Sequence, residues 1–134
     1  METMNTIYLG ELRTEATHLQ SGNRIITDAP TDNQGKGEAF SPTDLLAASL
    51  GSCALTLMGI KAREHNLAID GTSLKITKIM GSNPRRVTEI VLDFEMLGLN
   101  LSDKDKLILE HTAMHCPVSK SLHQDLKQTF SFKY

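Results

Sequence analysis

Residues 41–53 read Ser-Pro-Thr-Asp-Leu-Leu-Ala-Ala-Ser-Leu-Gly-Ser-Cys, and this run predicts a long helix that begins after Ser41. The Ser41 hydroxyl caps the helix, Pro42 suits its first position, and Asp44 completes a capping box. From Leu45 to Ile60 the sequence has no hydrophilic face, so such a helix must be covered on all sides. Because a small domain has difficulty supplying that cover alone, we expect a second subunit to pack there across a symmetric interface.

Two strands and a loop are predicted before this helix. The segment Thr6–Leu19 alternates apolar and polar residues, which predicts one strand with Glu11 and Arg13 on the same face. A turn at residues 21–23 leads into a second strand over Arg24–Asp28, so the two strands form a hairpin. The next ten residues are rich in turn formers and predict a long loop, whose length favours a functional role.

After the long helix, whose end Asn66 can cap in the left-handed conformation, the sequence alternates between strands and shorter helices. In one of these strands Ile90, Leu92, Phe94 and Met96 share a face, as in a half-exposed antiparallel strand. This order of elements predicts an α+β fold. The predicted strands are Leu74–Met80, Arg86–Leu97 and Thr129–Tyr134, and the predicted helices follow a second capping box at Ser102–Asp105 and follow Pro117.

Length and composition exclude several classes of protein. The 134 residues suffice to bury a core and predict a single domain over residues 1–134. A net charge of −2 disfavours a nucleic-acid surface, and two cysteines are too few for a disulfide framework. No basic and apolar leader opens the sequence, and the run from Leu45 to Ile60 is shorter than the roughly 20 residues that span a bilayer. We therefore expect a soluble cytoplasmic protein that binds neither nucleic acid nor membranes.

Each of the two cysteines lies where a reactive thiol can form. Cys53 lies inside the apolar helix, and Cys116 directly precedes Pro117 as the last residue before a new helix. The exposed N–H groups at a helix start favour the thiolate form of a cysteine. A buried Cys53 and a helix-capping Cys116 form a candidate attacking and resolving pair, which peroxide reduction requires. In the alternative interpretation they are two unrelated small hydrophobic residues.

A thiolate also needs a cation, and arginine is the obvious supplier. Arg13 and Arg24 are the candidates, although Arg13 also fits a solvated strand face. A carboxylate would then orient the arginine. Asp44 lies about 13 Å along the helix from Cys53 and roughly half a turn away, so it cannot reach the Cys53 of its own chain. Either Asp44 serves the site of a neighbouring subunit, or Glu38 in the loop takes that role.

The histidines support a rival hypothesis, a zinc site. His111 and His115 lie one helical turn apart, and Cys116 follows at once. Strong zinc motifs have a second cluster of ligands, which is missing here unless Cys53 or His18 joins the first. We therefore expect exposed or hydrogen-bonded histidines and no metal.

Around its two cysteines the sequence resembles the OsmC/Ohr family of thiol-dependent hydroperoxide reductases. The resemblance rests on residues 41–53 and on His115-Cys-Pro-Val-Ser-Lys-Ser-Leu122, and it extends more loosely over nearly the whole chain. It implies an OsmC-like fold with antiparallel sheets around a long central helix that carries a cysteine. It also implies an entwined homodimer with two sites at the subunit interface.

The resemblance further implies roles for individual residues. Cys53 would be the peroxidatic thiol, Cys116 the resolving thiol, and Arg13, by its order in the chain, the arginine that activates Cys53. The implied reaction reduces hydroperoxides, preferably organic ones, to alcohols through a disulfide between the two cysteines. A dithiol or lipoyl-type reductant would return the disulfide to thiols, without any cofactor.

One position departs from the family pattern. The hydroperoxide-resistance branch carries a glutamate directly after the proline of the first motif, where this chain has Thr43. The usual carboxylate partner of the arginine is therefore missing, and Asp44 and Glu38 are the candidates to replace it. The departure motivates a second hypothesis, in which the chain is a non-enzymatic dimeric thiol protein that senses oxidants or binds a small ligand.

Overall fold

The computed structural model describes all 134 residues, which divide into two compact units, residues 1–46 and 47–134. Strands and helices are mixed along the chain, so the predicted α+β class is confirmed. The extent of a single domain over residues 1–134 stays a prediction. The elements are β1 (Met4–Gly10), β2 (Arg13–His18), β3 (Arg24–Asp28), α1 (Pro42–Glu64), β4 (Ser73–Gly81), β5 (Arg86–Glu95), α2 (Asp103–Met114), α3 (Pro117–Ser121) and β6 (Lys127–Lys133), with a 3-10 turn at Thr31–Asn33.

The first unit holds an antiparallel sheet in the order β1-β2-β3. The prediction of one strand over Thr6–Leu19 is wrong, because the chain reverses at Glu11 and Leu12, whose φ angles are 54° and 61°. Positive φ at both central residues is typical of a tight hairpin turn, which usually uses asparagine and glycine. Neither residue type stands at these two positions, and for that reason the reversal was not predicted. As a result, Glu11 lies in the turn and Arg13 begins β2.

The second unit holds a sheet in the order β4-β5-β6. β4 and β5 are antiparallel, whereas β6 runs parallel to β5, so this sheet is mixed rather than wholly antiparallel. The parallel pairing is possible because α2 and α3 provide a crossover between the two strands. The apolar face predicted for β5 is confirmed: Phe94 is buried, and its ring stacks on that of Phe132 at a centroid distance of 4.7 Å. Ile90, Leu92 and Met96 are buried as well.

Helix α1 begins as the sequence predicts. The backbone N–H of Ser41 donates to Asp44 Oδ2 at 2.9 Å, and the N–H of Asp44 donates to Ser41 Oγ at 3.0 Å. This reciprocal pair is a capping box, in which two otherwise orphaned donors are satisfied. At the other end, Asn66 adopts a φ of 57°, which confirms the left-handed cap.

The faces of α1 are less uniform than predicted. One row of residues is buried, namely Ala47, Leu50, Gly51, Ala54, Met58 and Ala62. Ser49, Ser52 and Thr56 are exposed and follow helical spacing, so α1 does have a weakly polar face. The sequence pattern concealed this face because its small hydroxyl residues stand among leucines and alanines. Exposed apolar surface still remains at Ile60, which is 50 % accessible, and dimerisation stays a prediction.

By length and composition alone, α1 is apolar enough to cross a membrane, with a mean hydropathy of 1.6 over its most apolar window. A core helix of a soluble protein meets the same description. The expectation that the chain does not enter a membrane therefore stays a prediction.

The two capping boxes provide a matched test of helix stability. Ser102 Oγ accepts from the N–H of Asp105 at 3.1 Å at the exposed start of α2, whereas Ser41 is 1 % accessible. We expect Ser41→Ala to lower the free energy of unfolding by about 1–2 kcal/mol and Ser102→Ala by about 0.5–1 kcal/mol. The difference arises because water can replace only the exposed cap. Urea midpoints measure both variants, and equal losses would contradict the argument.

Candidate functional site

Cys116 is the N-cap residue of α3, as the sequence predicts. Its sulfur accepts a hydrogen bond from the backbone N–H of Ser119 at 3.4 Å. Pro117 occupies the first turn of the helix, where its missing N–H costs nothing. The whole residue is 0 % accessible, so Cys116 is capping and buried at once.

Cys53, by contrast, is partly exposed. The expectation that Cys53 is the buried thiol of the pair is therefore wrong. On α1 it lies between the buried row that contains Leu50 and Ala54 and the exposed row that contains Ser52 and Thr56. An apolar neighbourhood in sequence did not reveal this, because burial follows the helix face rather than the local composition.

The Cys53 thiol lies near enough to Cys116 to change its pKa, and both thiols are free. Burial raises the pKa of Cys116, the N–H of Ser119 lowers it, and the neighbouring Cys53 thiol raises it again. The raising effects prevail, so Cys116 rests as a neutral thiol. The expected preference of a helix start for thiolate is thus outweighed by desolvation at this position.

In the first unit, Arg13 is held by a buried carboxylate that the sequence analysis missed. Its Nε donates to Asp28 Oδ1 at 2.7 Å and its Nη2 to Asp28 Oδ2 at 2.8 Å, a bidentate pair. The Asp28 side chain is wholly inaccessible. The register of β2 and β3 brings the two together, since Arg13 stands directly opposite Asp28. The turn between β2 and β3 sets that register, with the His18 N–H donating to the carbonyl oxygen of Asn23, whereas the burial of Asp28 is not visible in the sequence.

The loop before α1 adds to this cluster. The backbone N–H of Glu38 donates to Asp28 Oδ2 at 3.1 Å, and Glu38 Oε1 lies 3.6 Å from Arg13 Nη2. Glu38 is thus brought to Arg13, as one of the two carboxylates considered from the sequence. Asp44, the other, caps its own helix through Ser41.

Arg24, the second candidate cation, lies in a different environment. Its side chain is 67 % accessible, and its Nη1 lies 4.0 Å from Glu15 Oε1. An exposed pair at this distance contributes little orientation. Of the two arginines, Arg13 is therefore the one that is fixed by its neighbours.

The histidines of α2 do not assemble a metal site. The rings of His111 and His115 stack at a centroid distance of 4.1 Å, and His115 Nδ1 lies 2.7 Å from the carbonyl oxygen of His111. His18 Nδ1 lies 2.6 Å from Ser21 Oγ. No group of three or more histidine, cysteine, aspartate or glutamate side chains has the arrangement to hold a metal ion. The zinc hypothesis therefore lacks a ligand set.

Comparison with known proteins gives consistent matches over the chain. Residues 35–131 match the family OsmC, described as OsmC-like protein. A protein of Psychrobacter arcticus, provisionally named an osmotic stress induced and detoxification response protein, is 54 % identical, with a TM-score of 0.94 over 98 % of this chain and 96 % of that one. No curated protein matches this chain.

Two more distant structures share the fold. The organic hydroperoxide resistance protein OsmC of Legionella pneumophila is 17 % identical, with a TM-score of 0.77 over 100 % of this chain and 98 % of that one. The organic hydroperoxide resistance protein OhrB of Bacillus subtilis is 16 % identical, with a TM-score of 0.70 over 98 % of each chain.

The Arg13–Asp28 pair predicts a pH-dependent contribution to stability. Hydrogen bonds from Arg13 hold the pKa of Asp28 below its ordinary value, although burial acts to raise it. A carboxylate with a lowered folded-state pKa stabilises the fold above its unfolded pKa of about 3.9, and this contribution is lost as pH falls through the folded value. We expect Asp28→Asn to lower the urea midpoint at pH 7 and the difference from wild type to shrink toward pH 3.

The matched control is Asp125→Asn, which changes a carboxylate that is 86 % accessible. It should alter the midpoint little at either pH. A gap between wild type and Asp28→Asn that stays constant from pH 7 to pH 3 would contradict the ion pair.

Proposed function

This chain belongs to the OsmC family, and from its paired thiols we propose that it is a cysteine-based peroxidase that reduces hydroperoxides, preferably organic ones, to alcohols. The observation that carries the proposal is the proximity of an accessible Cys53 to a buried Cys116, whose pKa the Cys53 thiol raises. A role in defence against peroxides agrees with the names of the Legionella and Bacillus proteins, and a detoxification role agrees with the name of the Psychrobacter protein.

The different burial of the two thiols supports an order of reaction. An oxidant in solution reaches Cys53 and not Cys116, so Cys53 attacks first. Its thiolate attacks one peroxide oxygen, an S–O bond forms, the O–O bond breaks, and the alkoxide leaves and takes up a proton as the alcohol. Cys53 is then a sulfenic acid.

Resolution follows from the position of Cys116. Its sulfur attacks the sulfur of the Cys53 sulfenic acid, an S–S bond forms, and the hydroxyl group leaves as water. An external dithiol or a lipoyl-type reductant then reduces the disulfide by thiol–disulfide exchange. The cycle requires no metal and no organic prosthetic group, because the two sulfurs carry both electrons.

We assign the activating cation to Arg13 and its orientation to Asp28 and Glu38. Arg13 has the bidentate buried partner that fixes a guanidinium in one direction, whereas Arg24 does not. In this assignment Asp28 takes the place of the family glutamate that is absent at Thr43. Asp44 is left to cap α1 rather than to orient the arginine.

We further propose that the protein is an entwined homodimer in the cytoplasm, associated with neither nucleic acid nor membranes. Exposed apolar side chains support association: Ile7, Tyr8 and Leu9 on β1 are each at least half accessible, as is Ile60 on α1. The net charge of −2 supports the absence of nucleic-acid binding. The two free cysteines support a location in the reducing cytoplasm.

A sensor is the second candidate, because Thr43 replaces the glutamate of the hydroperoxide-resistance branch. Such a protein would react once with the oxidant and stop, or would bind a small ligand at the interface. Steady consumption of cumene hydroperoxide in the presence of dithiol reductant distinguishes the two. A peroxidase consumes many equivalents per subunit, and a sensor consumes one.

Substitution of each cysteine should separate the two steps. We expect Cys53→Ser to abolish consumption of cumene hydroperoxide. Cys116→Ser should allow one equivalent to react and leave a sulfenic acid at Cys53, which dimedone labelling and mass spectrometry detect. Retention of full activity by Cys53→Ser would overturn the assignment of the attacking thiol.

The two arginines provide a matched pair for the cation. We expect Arg13→Gln to slow the oxidation of Cys53 by about tenfold or more, because about 1.4 kcal/mol of charge stabilisation corresponds to a factor of ten. Arg24→Gln should leave the rate within about twofold of wild type. Single-turnover oxidation of reduced protein measures both, and the reverse ranking would exchange the two roles.

A further inference from the structure

We propose that Ser119 and Gln128 form a positioning pair for Cys116, which sets the rate of disulfide closure and leaves the attack on the hydroperoxide unchanged. The inference rests on the proposed function and deepens it. It is carried by one juxtaposition: Ser119 bonds to Cys116 through its backbone and to Gln128 through both its side chain and its carbonyl group.

The two residues bond reciprocally. The Ser119 hydroxyl donates to Gln128 Oε1 at 2.6 Å, and Gln128 Nε2 donates to the carbonyl oxygen of Ser119 at 3.0 Å. The same hydroxyl lies 3.2 Å from the carbonyl oxygen of Met114. Ser119 is therefore fixed to β6 on one side and to the end of α2 on the other.

This anchoring matters because α3 has only five residues. A helix of that length is not stable by its own hydrogen bonds, so contacts outside it must supply its order. The Ser119 N–H points at the Cys116 sulfur only while α3 is formed. The tether to Gln128 thus holds the donor, and through it the direction of the thiol.

Gln128 is a polar residue on an otherwise apolar face of β6. It alternates with Phe130 and Phe132 on one face of β6, and its partner in the sheet is Ile90, which is buried. An amide on an apolar face loses water and must recover its hydrogen bonds from protein. Both side-chain hydrogen bonds of Gln128 go to Ser119, which accounts for an amide at this position.

The pair acts on one step of the cycle. Attack on the hydroperoxide is made by Cys53 and does not involve Cys116. Closure is intramolecular and depends on how often the Cys116 sulfur lies in line with the oxidised Cys53. The Ser119 N–H also lowers the pKa of Cys116 against the effect of burial, which favours the thiolate that attacks. Loss of the tether should therefore slow closure without slowing the first oxidation.

Gln128→Leu tests the pair, because leucine keeps a similar volume and removes both hydrogen bonds. With cumene hydroperoxide we expect sulfenic acid to form at Cys53 within about twofold of the wild-type rate and the disulfide to form about tenfold more slowly. Rapid quench with dimedone, followed by mass spectrometry, gives the two rates separately. Ser119→Ala should show the same split.

Two further variants distinguish positioning from general loss of structure. Ser119→Thr keeps the hydroxyl and should restore closure to within about threefold of wild type. Ser131→Ala is the matched control, because its hydroxyl bonds to Asp93 on the exposed face of the same strand. It should leave both rates unchanged. Gln128→Leu and Ser119→Ala proteins that close the disulfide at the wild-type rate would overturn the proposal.

Oxidation with diamide measures disulfide closure without requiring that the protein react with a hydroperoxide. The Cys53 thiolate adds to the diamide N=N bond, and Cys116 then displaces the hydrazine to form the disulfide, without any peroxidase activity. If hydroperoxide fails to oxidise wild-type Cys53, the proposed function fails. The tether is still supported if Gln128→Leu slows closure with diamide about tenfold, and it is overturned if closure is unchanged.

Discussion

The complete burial of Cys116 at the start of α3 is the constraint on which the chemistry of this chain depends. Burial raises the pKa of that thiol and removes it from solvent, so Cys116 neither ionises readily nor meets an oxidant. Cys53 lies near it and remains partly accessible. The two sulfurs are chemically identical, and only their environments distinguish them. The direction of the proposed cycle follows from this asymmetry.

A second buried group fixes the proposed cation. An isolated carboxylate as inaccessible as that of Asp28 would be strongly unfavourable, and the two hydrogen bonds from Arg13 offset that cost. Moving the Arg13 side chain away would leave the buried Asp28 charge without its partner. The pairing of β2 with β3 therefore sets the direction of the guanidinium group. With Asp28 in this position, residue 43 does not need to orient the arginine. The Thr43 hydroxyl instead lies 3.2 Å from Ser41 Oγ at the helix cap.

Local patterns predicted much of the fold. Both capping boxes, the left-handed residue Asn66 and the alternating core face of β5 are correct, because each depends on neighbours in sequence. The turn at Glu11 and Leu12 was missed, since it uses residues that carry no turn signal. Asp28 was missed although the predicted hairpin of β2 and β3 places it opposite Arg13, because its burial is not visible in the sequence. The relative burial of the thiols was likewise unpredictable, because burial is decided by packing between distant segments.

The parallel pairing of β6 with β5 sets the position of Gln128. β6 follows α3 directly and pairs with β5 so that Gln128 stands beside Ile90 on the face shared with Phe130. A slip of one residue would turn Gln128 to the opposite face and leave Ser119 without its partner. The register of the sheet is thereby linked to the direction of a thiol that belongs to no strand. Because Phe130 and Phe132 stack on the buried Phe94 in this register, the packing of that face also favours the position of Gln128 beside Ser119.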